Sequence, residues 1–589
     1  MKILRLTLIV LIVTLFHALA TGQIDTAQFK IIVTSDIHGN ILPFDILEGK
    51  NRNNSMSQVY SFVAEARQST ENEIILLDNG DILQGDPFVF YYNFLDTTGI
   101  HPLASVMNFM SYDAATIGNH DIEAGPAVYN KLLQQFNFPW LGANIIDSVT
   151  GKPYFKPYTI IERSGIRIAV LGLTTPYVPY WLPPKLWRGL SFGELVYSAR
   201  KWSDYIRQNE NPHILVGLFH SGGEPVDPTL RKQKQLMENA SRVIAEEVGG
   251  FDIIFTGHDH RRWNEFVANP DEEYTLLIGA GSHARAVAVA SVMLVTQNID
   301  DILRKEIRGN IVDITRNRPS SQFAVNFLEY LYPVQQYADE FITFSHDTIK
   351  SRLALHGSSA FVDLVHQAQL SITGADVSLA APFLIDVTIP SGNLTRRDFF
   401  KLYRFENYLY VMTLSGSEIK DILEYSYANW MNHMRSEFDN LLLKRTDDQG
   451  LSVLNRRGRT QLATPHFDFE SAAGIKYTVN VAMPPGNRVS ITGFENGLPF
   501  KADSIYHVAI NSYRASGGGG HLTTGAGIPR QELKNRIVWQ SETFIRSMLM
   551  DWMKNNPAYR IEARKNWMVV PRTWAERGIQ KDLRLLFED

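Results

Sequence analysis

The sequence predicts an α/β protein with a layered domain built on mixed sheets, followed by a second, smaller domain. Three observations carry that prediction. From about Phe29 to Gln297, short β-branched apolar runs alternate with amphipathic or irregular segments. Five of those runs end on residue types that ligate metals. The chain has 589 residues, more than one hydrophobic core ordinarily supports, so two or more domains are expected.

The five runs come in chain order. Ile31-Ile32-Val33 leads to Asp36-Ile37-His38, and Ile74-Ile75-Leu76-Leu77 leads to Gly80-Asp81. Ala114-Ala115-Thr116-Ile117 leads to Gly118-Asn119-His120-Asp121. Ile214-Leu215-Val216 precedes His220, and Ile253-Ile254-Phe255 precedes Gly257-His258-Asp259-His260. Buried strands read as such runs, and α/β sites collect at the carboxyl ends of strands. In Asp-x-His and His-x-His, two ligands one residue apart at a strand end project to the same side. Ile168–Leu173 and Val287–Val295 read as further strands, and Pro176–Pro184, with Tyr177, Tyr180 and Trp181, as a rigid aromatic loop that packs.

The N-terminus has the form of an export signal. Lys2 and Arg5 are basic, Leu6 to Phe16 is almost unbroken apolar sequence, and Ala18-Leu19-Ala20 supplies small residues for cleavage after Ala20 or nearby. The apolar run is short for a bilayer span, so no stable membrane anchor is expected. The chain has no cysteine, which removes both disulfides and a lipidated cysteine after the signal. The expected location is secreted or periplasmic. Hydrophobic content of 44% and charged content of 20% fit an ordinary globular protein. A formal net charge of −5 gives no electrostatic reason to expect a nucleic-acid polymer as partner.

Residues 316–348 break the first pattern. Arg316-Asn317-Arg318-Pro319-Ser320-Ser321 is a cluster of helix breakers, and Ala324 to Phe344 has the composition of one long helix, here read as the interdomain connection. The expected bounds are a signal over 1–22, a first domain over 28–315, the linker over 316–348, a second domain over 349–565 and a tail over 566–589.

Asp36, His38, Asp81, Asn119, His220, His258 and His260 form a complete inventory for a two-metal site. Two divalent ions about 3.5–4 Å apart lower the pKa of water from 15.7 towards about 7 and neutralise charge on phosphoryl oxygens. The donors are nitrogen and oxygen without sulfur, which suits zinc, manganese, cobalt or iron. The pattern implies metal-dependent hydrolysis of a phosphate ester.

This ordered set resembles the calcineurin-like metallophosphoesterases, and the signal with the second domain resembles their 5′-nucleotidase branch. That branch includes 2′,3′-cyclic-nucleotide phosphodiesterases and UDP-sugar hydrolases. The resemblance implies a layered α-β-β-α metallophosphoesterase domain followed by a smaller α+β domain of the 5′-nucleotidase C-terminal type. It implies one metal held by Asp36, His38, Asp81 and His260, and a second by Asp81, Asn119, His220 and His258, with Asp81 as the bridge. His120 would stay off the metals and act on the phosphoryl or leaving-group oxygen. The carboxylate that orients it would be Glu123, with Asp121 as the fallback.

In the second domain, Phe405 and Tyr513 would stack on the base of a small-molecule nucleotide, with Asn407 as a polar contact. Two departures stand out. Ala380–Pro390 lacks the arginine that grips phosphate in the family, and Gly519 replaces an acidic ribose contact. Arg514 is the expected substitute for the missing positive charge, with Arg404 second. The implied activity is release of phosphate from nucleoside 5′-monophosphates, with 2′,3′-cyclic nucleotides and UDP-sugars as further candidates. The alternatives are a phosphatase of another phosphomonoester, a thiosulfohydrolase-like enzyme, and a non-catalytic surface binding protein. The last would lack a ligand or His120, and none is missing.

Overall fold

The computed structural model describes residues 25–69, 73–226, 231, 236–298, 301–447, 449–455 and 458–588. The export signal expected over 1–22 lies outside these residues. Two compact units divide the chain. The first comprises the chain up to Asp45, Gly49–Pro179 and Pro184–Tyr332; the second comprises Ile46–Glu48, Tyr180–Pro183 and the chain from Pro333.

Two six-stranded sheets form the first unit. One runs in the order Asp301–Asp313, Ala286–Asn298, Asp25–Thr34, Glu73–Asp78, Ala114–Thr116, Trp140–Leu141. The other runs Arg262–Ala268, Tyr274–Ala280, Ile253–Thr256, Ile214–His220, Ile166–Thr174, Tyr158–Arg163. Both are mixed. Asp25–Thr34 pairs parallel with Glu73–Asp78 and antiparallel with Ala286–Asn298. Ile214–His220 lies parallel to both its neighbours.

Strand alternation explains how the sheets meet. Ile31, Val33, Ile75 and Leu77 of the first sheet share one core with Val170, Val216, Leu218, Phe255 and Ile278 of the second. The alternate residues Leu171, Leu173, Leu215 and Ile254 face a separate core closed by Leu195, Ala199, Ile206 and Ile244 of the helices Leu195–Glu210 and Ser241–Glu247. Each such side chain contributes about 1.5–3 kcal/mol on burial. The helix Met56–Gln68, capped by Ser55, packs against the strand Glu73–Asp78. The result is the α-β-β-α layering.

The second unit holds a five-stranded sheet in the order Ser471–Ala473, Val377–Ala380, Ile505–Asn511, Tyr408–Ser415, Ile537–Phe544. A three-stranded sheet runs Val489–Phe494, Ile475–Asn480, Trp567–Val570. The helix Gly416–Trp430 starts at a capping box in which Ser415 and Glu418 satisfy each other's backbone N–H.

Two expectations are corrected. Ala324–Phe344 is not one helix: it forms the helix Ser321–Phe327, a 3₁₀ turn at Leu328–Tyr330, the helix Leu331–Ala338 and the strand Phe341–Ser345. Pro333 has no N–H to give the Glu329 carbonyl in a continuous helix, so a new helix starts at Leu331 with the proline in its first turn. Nor is 566–589 a tail. Trp567–Val570 pairs parallel with Tyr477–Asn480, and the Trp567 ring stacks on Tyr477 with centroids 5.7 Å apart. In the helix Arg572–Phe587, the Asp582 carboxylate accepts the N–H groups of Leu441 and Leu442, both at 2.8 Å.

Candidate metal centre

Apart from His220, which closes the strand Ile214–His220, the ligands lie beyond the ends of their strands. Asp25–Thr34 and Ile253–Thr256 each end two residues before the first donor. Five of the seven donors sit in loops at left-handed backbone angles: Asp36 (φ 51°), His38 (49°), Asp81 (60°), His258 (72°) and His260 (58°). Asp and His tolerate this region better than most side chains, at about 1–3 kcal/mol each where they are not compensated. Convergence of Asp36 with His38 therefore comes from alternating left-handed residues and not from strand pleat, which corrects the expectation from sequence.

Hydrogen bonds between loops hold these angles. Asp36 N donates to Gly80 O (2.9 Å), His38 N to Asp81 O (3.0 Å) and Gly39 N to Ile82 O (3.0 Å). Two glycines are required by close approach. A Cβ on Gly80 would lie 2.7 Å from the Gly118 nitrogen, and one on Gly118 would lie 2.2 Å from Asp81 Oδ1.

The donors gather into two groups, Asp36–His38–His260 and Asp81–His220–His258, with one ligand atom from each residue within 4.8 Å of the others in its group. In the first, His260 Nε2 lies 2.9 Å from His38 Nε2 and 3.5 Å from Asp36 Oδ1. In the second, His220 Nε2 lies 3.2 Å from Asp81 Oδ2 and 3.1 Å from Asn119 Oδ1. His258 Nε2 also meets Glu238 Oε1 at 2.9 Å, a partner the sequence did not suggest.

Tautomers decide what these groups can hold. His38 Nδ1 donates to Gln84 O (3.2 Å) and His220 Nδ1 to Asn79 O (2.7 Å), so both Nε2 lone pairs face inward. His220 Nε2, Asp81 Oδ2 and Asn119 Oδ1 are then three acceptors turned on one another, an arrangement that calls for a cation or a proton. The donor set fits divalent ions.

Electrostatics agree. Burial raises the Asp36 carboxyl, against the pull of His220 and His260. Burial also opposes ionisation of Asp81, but His220, His120 and His38 overcome it and hold the carboxyl well below its ordinary range. Burial and the neighbouring His260 depress His38. His220, despite burial, is pushed up to about 10 by Asp81 and Asp36. The potential that would keep a proton there is the one that would keep a metal ion.

His120 lies outside both groups, its ring 5.5 Å from His38. Its backbone N–H donates to Asp81 Oδ1 at 2.8 Å, and its ring Nδ1 is hydrogen-bonded to the Glu123 carboxylate, one turn along the helix Asn119–Glu123. Against burial, Asp81 and Glu123 push His120 up to about 9. Asp121 does not share the orienting role. Its buried carboxylate accepts four backbone N–H groups, from Gly118 (2.8 Å), Asp81 (3.0 Å), Ile82 (2.9 Å) and Leu83 (3.2 Å). Asp121 ties together the loops that carry Asp81 and Asn119; burial and the nearby Asp81 charge push it up to about 6.

In the second unit the arginine expectation is overturned. All five Arg514 donors are used inside the fold: Nε and Nη2 on Glu470 (3.2 and 3.1 Å), Nη1 on Asp468 (3.0 Å) and Gly518 O (2.7 Å), and Nη2 on Phe467 O (2.9 Å). Its side chain is 1% exposed and Glu470 is 0% exposed, so this guanidinium is structural and has no hydrogen left for phosphate. Arg404 is half-buried, and its carbonyl accepts from Arg546.

Phe405 is half-buried, edge-on to Phe383 at 5.1 Å and to Phe467 at 6.5 Å. Half-buried Tyr513 lies against Gly518, where a Cβ would stand 2.5 Å from its ring. Asn407 Nδ2 reaches Tyr403 Oη at 3.4 Å. Phe467 links the two segments, with its ring near Phe405 and its carbonyl on Arg514. Nothing in the sequence near Phe467, Asp468 or Glu470 marked them for this place.

Two donor groups rich in histidine and aspartate at the loop end of paired mixed sheets define a metal-binding α/β hydrolase. Comparison with known proteins agrees. Residues 29–262 match the family model for the calcineurin-like phosphoesterases, and residues 341–525 match that for the 5′-nucleotidase C-terminal domain. Together the matches span most of the chain, which belongs to the calcineurin-like phosphoesterases that carry this C-terminal domain and is a metal-dependent phosphoester hydrolase.

A 2′,3′-cyclic-nucleotide 2′-phosphodiesterase/3′-nucleotidase of Yersinia enterocolitica is 26% identical over 573 residues, covering 85% of this chain and 82% of its own. A 5′-nucleotidase of Vibrio cholerae is 22% identical, covering 84% and 86%. Among solved structures, a Staphylococcus aureus protein crystallised with alpha-ketoglutarate aligns over 92% of this chain and 100% of its own, with 22% identity and a TM-score of 0.74.

Proposed function

We propose that this chain is an exported, dinuclear-metal phosphohydrolase of nucleotides, in which Asp81 would serve both ions. The observation that supports it most is the inward-facing set of His220, Asp81 and Asn119 lone pairs beside the Asp36–His38–His260 group. Export rests on the basic, apolar and small-residue order of the first 20 positions. Among the described residues no helix is long and apolar enough to cross a membrane.

Two divalent ions bound there supply charge neutralisation and an activated water at neutral pH. The chain's own residues do the rest. Asp36, His38 and His260 would hold one ion, and Asn119, His220 and His258 the other. His120, its Nδ1 hydrogen-bonded to the Glu123 carboxylate, donates to the leaving-group oxygen, a contribution of typically 10²–10⁴-fold. Phe405 and Tyr513 present the base, with Asn407 as its polar contact.

For substrate order, the 26% identical relative is named for 2′,3′-cyclic and 3′-nucleotides and the 22% identical one for 5′-nucleotides. We place 2′,3′-cyclic nucleotides and 3′-monophosphates ahead of 5′-monophosphates. The test is phosphate release from 2′,3′-cyclic, 3′- and 5′-nucleotides, UDP-glucose and p-nitrophenyl phosphate. The protein is stripped by chelator and then refilled with Mn²⁺, Zn²⁺ or Co²⁺. Equal rates on p-nitrophenyl phosphate and every nucleotide would refute nucleotide selectivity, and full activity after stripping would refute the metal reading.

A further inference from the structure

His38 has two imidazole neighbours outside the ligand groups. One is His120; the other is His283, its ring centroid 5.2 Å from His38 and 5.8 Å from His260. His283 arrives as the ligands do. The strand Tyr274–Ala280 ends, Gly281 turns at φ 79°, and His283 and Ala284 follow in the left-handed region at 60° and 48°.

A dedicated set of side chains holds this turn. His283 N donates to the Asp36 carbonyl at 2.7 Å, which ties it to a ligand loop. Its own carbonyl accepts from two side-chain amides, Asn40 Nδ2 (3.1 Å) and Asn54 Nδ2 (2.8 Å). Arg52 donates to Asn40 Oδ1 and, at 2.7 Å, to Asp86 Oδ2. Ser282 Oγ engages His283 Nδ1 at 2.8 Å, and the imidazole is partly open to solvent. Two carboxamides on one carbonyl, one of them backed by a buried ion pair, hold the backbone that carries this ring beside the Asp36 loop.

We propose that His283 is a second phosphoryl-contacting residue, whose Nε2–H donates to a non-bridging oxygen of a phosphate held beside Asp36, His38 and His260. The inference rests on the phosphohydrolase reading above and divides the work between two imidazoles. His120 serves the leaving group, and His283 grips the phosphoryl group and the phosphate product. A charge-assisted donor of this kind is stronger than a neutral one.

The test uses the full-length, metal-loaded protein as wild type, His283→Ala and His283→Gln. Metal per chain is measured by mass spectrometry, inorganic phosphate affinity by calorimetry, and kcat and KM on a 3′-nucleotide. His283→Ala should keep two ions per chain, bind inorganic phosphate about tenfold more weakly, and lose about 10–100-fold in kcat/KM. His283→Gln keeps an N–H and should recover part of both losses; it carries the test if the alanine variant is unstable. Wild-type phosphate affinity and kcat/KM in both variants would overturn the proposal. So would loss of one ion, which would make His283 a ligand. If the wild type released phosphate from no nucleotide, the nucleotide reading would fall, and the inorganic phosphate titration would still judge His283.

Discussion

Asp121→Asn isolates the residue that joins the two central loops. The carboxylate is fully buried, with Oδ1 accepting from Ile82 and Leu83 and Oδ2 from Asp81 and Gly118. Asparagine has one acceptor oxygen, so whichever way the amide turns, its NH₂ faces two N–H donors. A buried donor left without an acceptor costs about 1–3 kcal/mol, giving about 2–6 kcal/mol for the pair. At about 2–4 °C per kcal/mol for a domain of this order of size, the first unit should melt roughly 5–20 °C lower. The affected N–H groups belong to Asp81 and its neighbours and to Gly118, so metal affinity should fall about 10–100-fold as well.

Scanning calorimetry on chelator-stripped and Mn²⁺-loaded protein reads both effects. The stripped variant should show the lower transition, and loading should restore less stability than in wild type, because a weaker site gains less from a given free ion concentration. An unchanged transition in stripped protein, with wild-type metal affinity, would show that the four N–H contacts do not hold the loops.

Four further outcomes follow from other residues. Gly118→Ala places a methyl 2.2 Å from Asp81 Oδ1, so that carboxylate must move by about an ångström; activity should fall by about 10²-fold or more, measured beside metal content. Glu123→Gln keeps the hydrogen-bond geometry at His120 but removes the charge that raises it, so kcat should drop about 10–100-fold with two ions retained. Arg514→Ala leaves Asp468 and Glu470 without their cation, and unfolding of the second unit should be easier by about 3–5 kcal/mol. His366 is fully buried between Ser378 and Ser471, and burial lowers it from 6.5 to about 3. Its folded value is the depressed one, so the stability it supports is complete above pH 6.5. That stability is lost as pH falls towards 3, by up to about 1.4 kcal/mol per pH unit, and His366→Gln should flatten the urea-denaturation profile over that window.

The parts of this centre that could be read from sequence are those fixed by local rules. A buried strand must be apolar, a ligand must be polar, and the switch from one to the other is visible at Val33–Asp36, Leu77–Asp81 and Phe255–His258. The same rule points to Gly281-Ser282-His283 after Leu276-Leu277-Ile278, so His283 carried a usable signal. Pro333 likewise marked the break inside the expected linker helix. What could not be read depends on residues distant in the chain. Asp121 is one residue from His120, yet three of its four partners lie 38 to 40 positions away. Arg514 looked available because Asp468 and Glu470, which consume it, lie 46 and 44 positions back.

The left-handed ligands explain why so much of the polar structure here serves the backbone. Asp36, His38, Asp81, His258 and His260 each occupy an angle that L side chains resist, and none is held by a strand. The opposing force is supplied by neighbours: the loop carbonyls of Gly80, Asp81 and Ile82 for residues 36–39, the Asp121 carboxylate for residues 81–83, and Asp36 Oδ1 and Oδ2 for the His258 N–H at 3.1 and 3.2 Å. Asp36 is thus both a donor in one group and the brace for a loop that carries donors of both. Loss of any brace should therefore spread through the centre before it alters the sheets, whose cores lie on the apolar faces below.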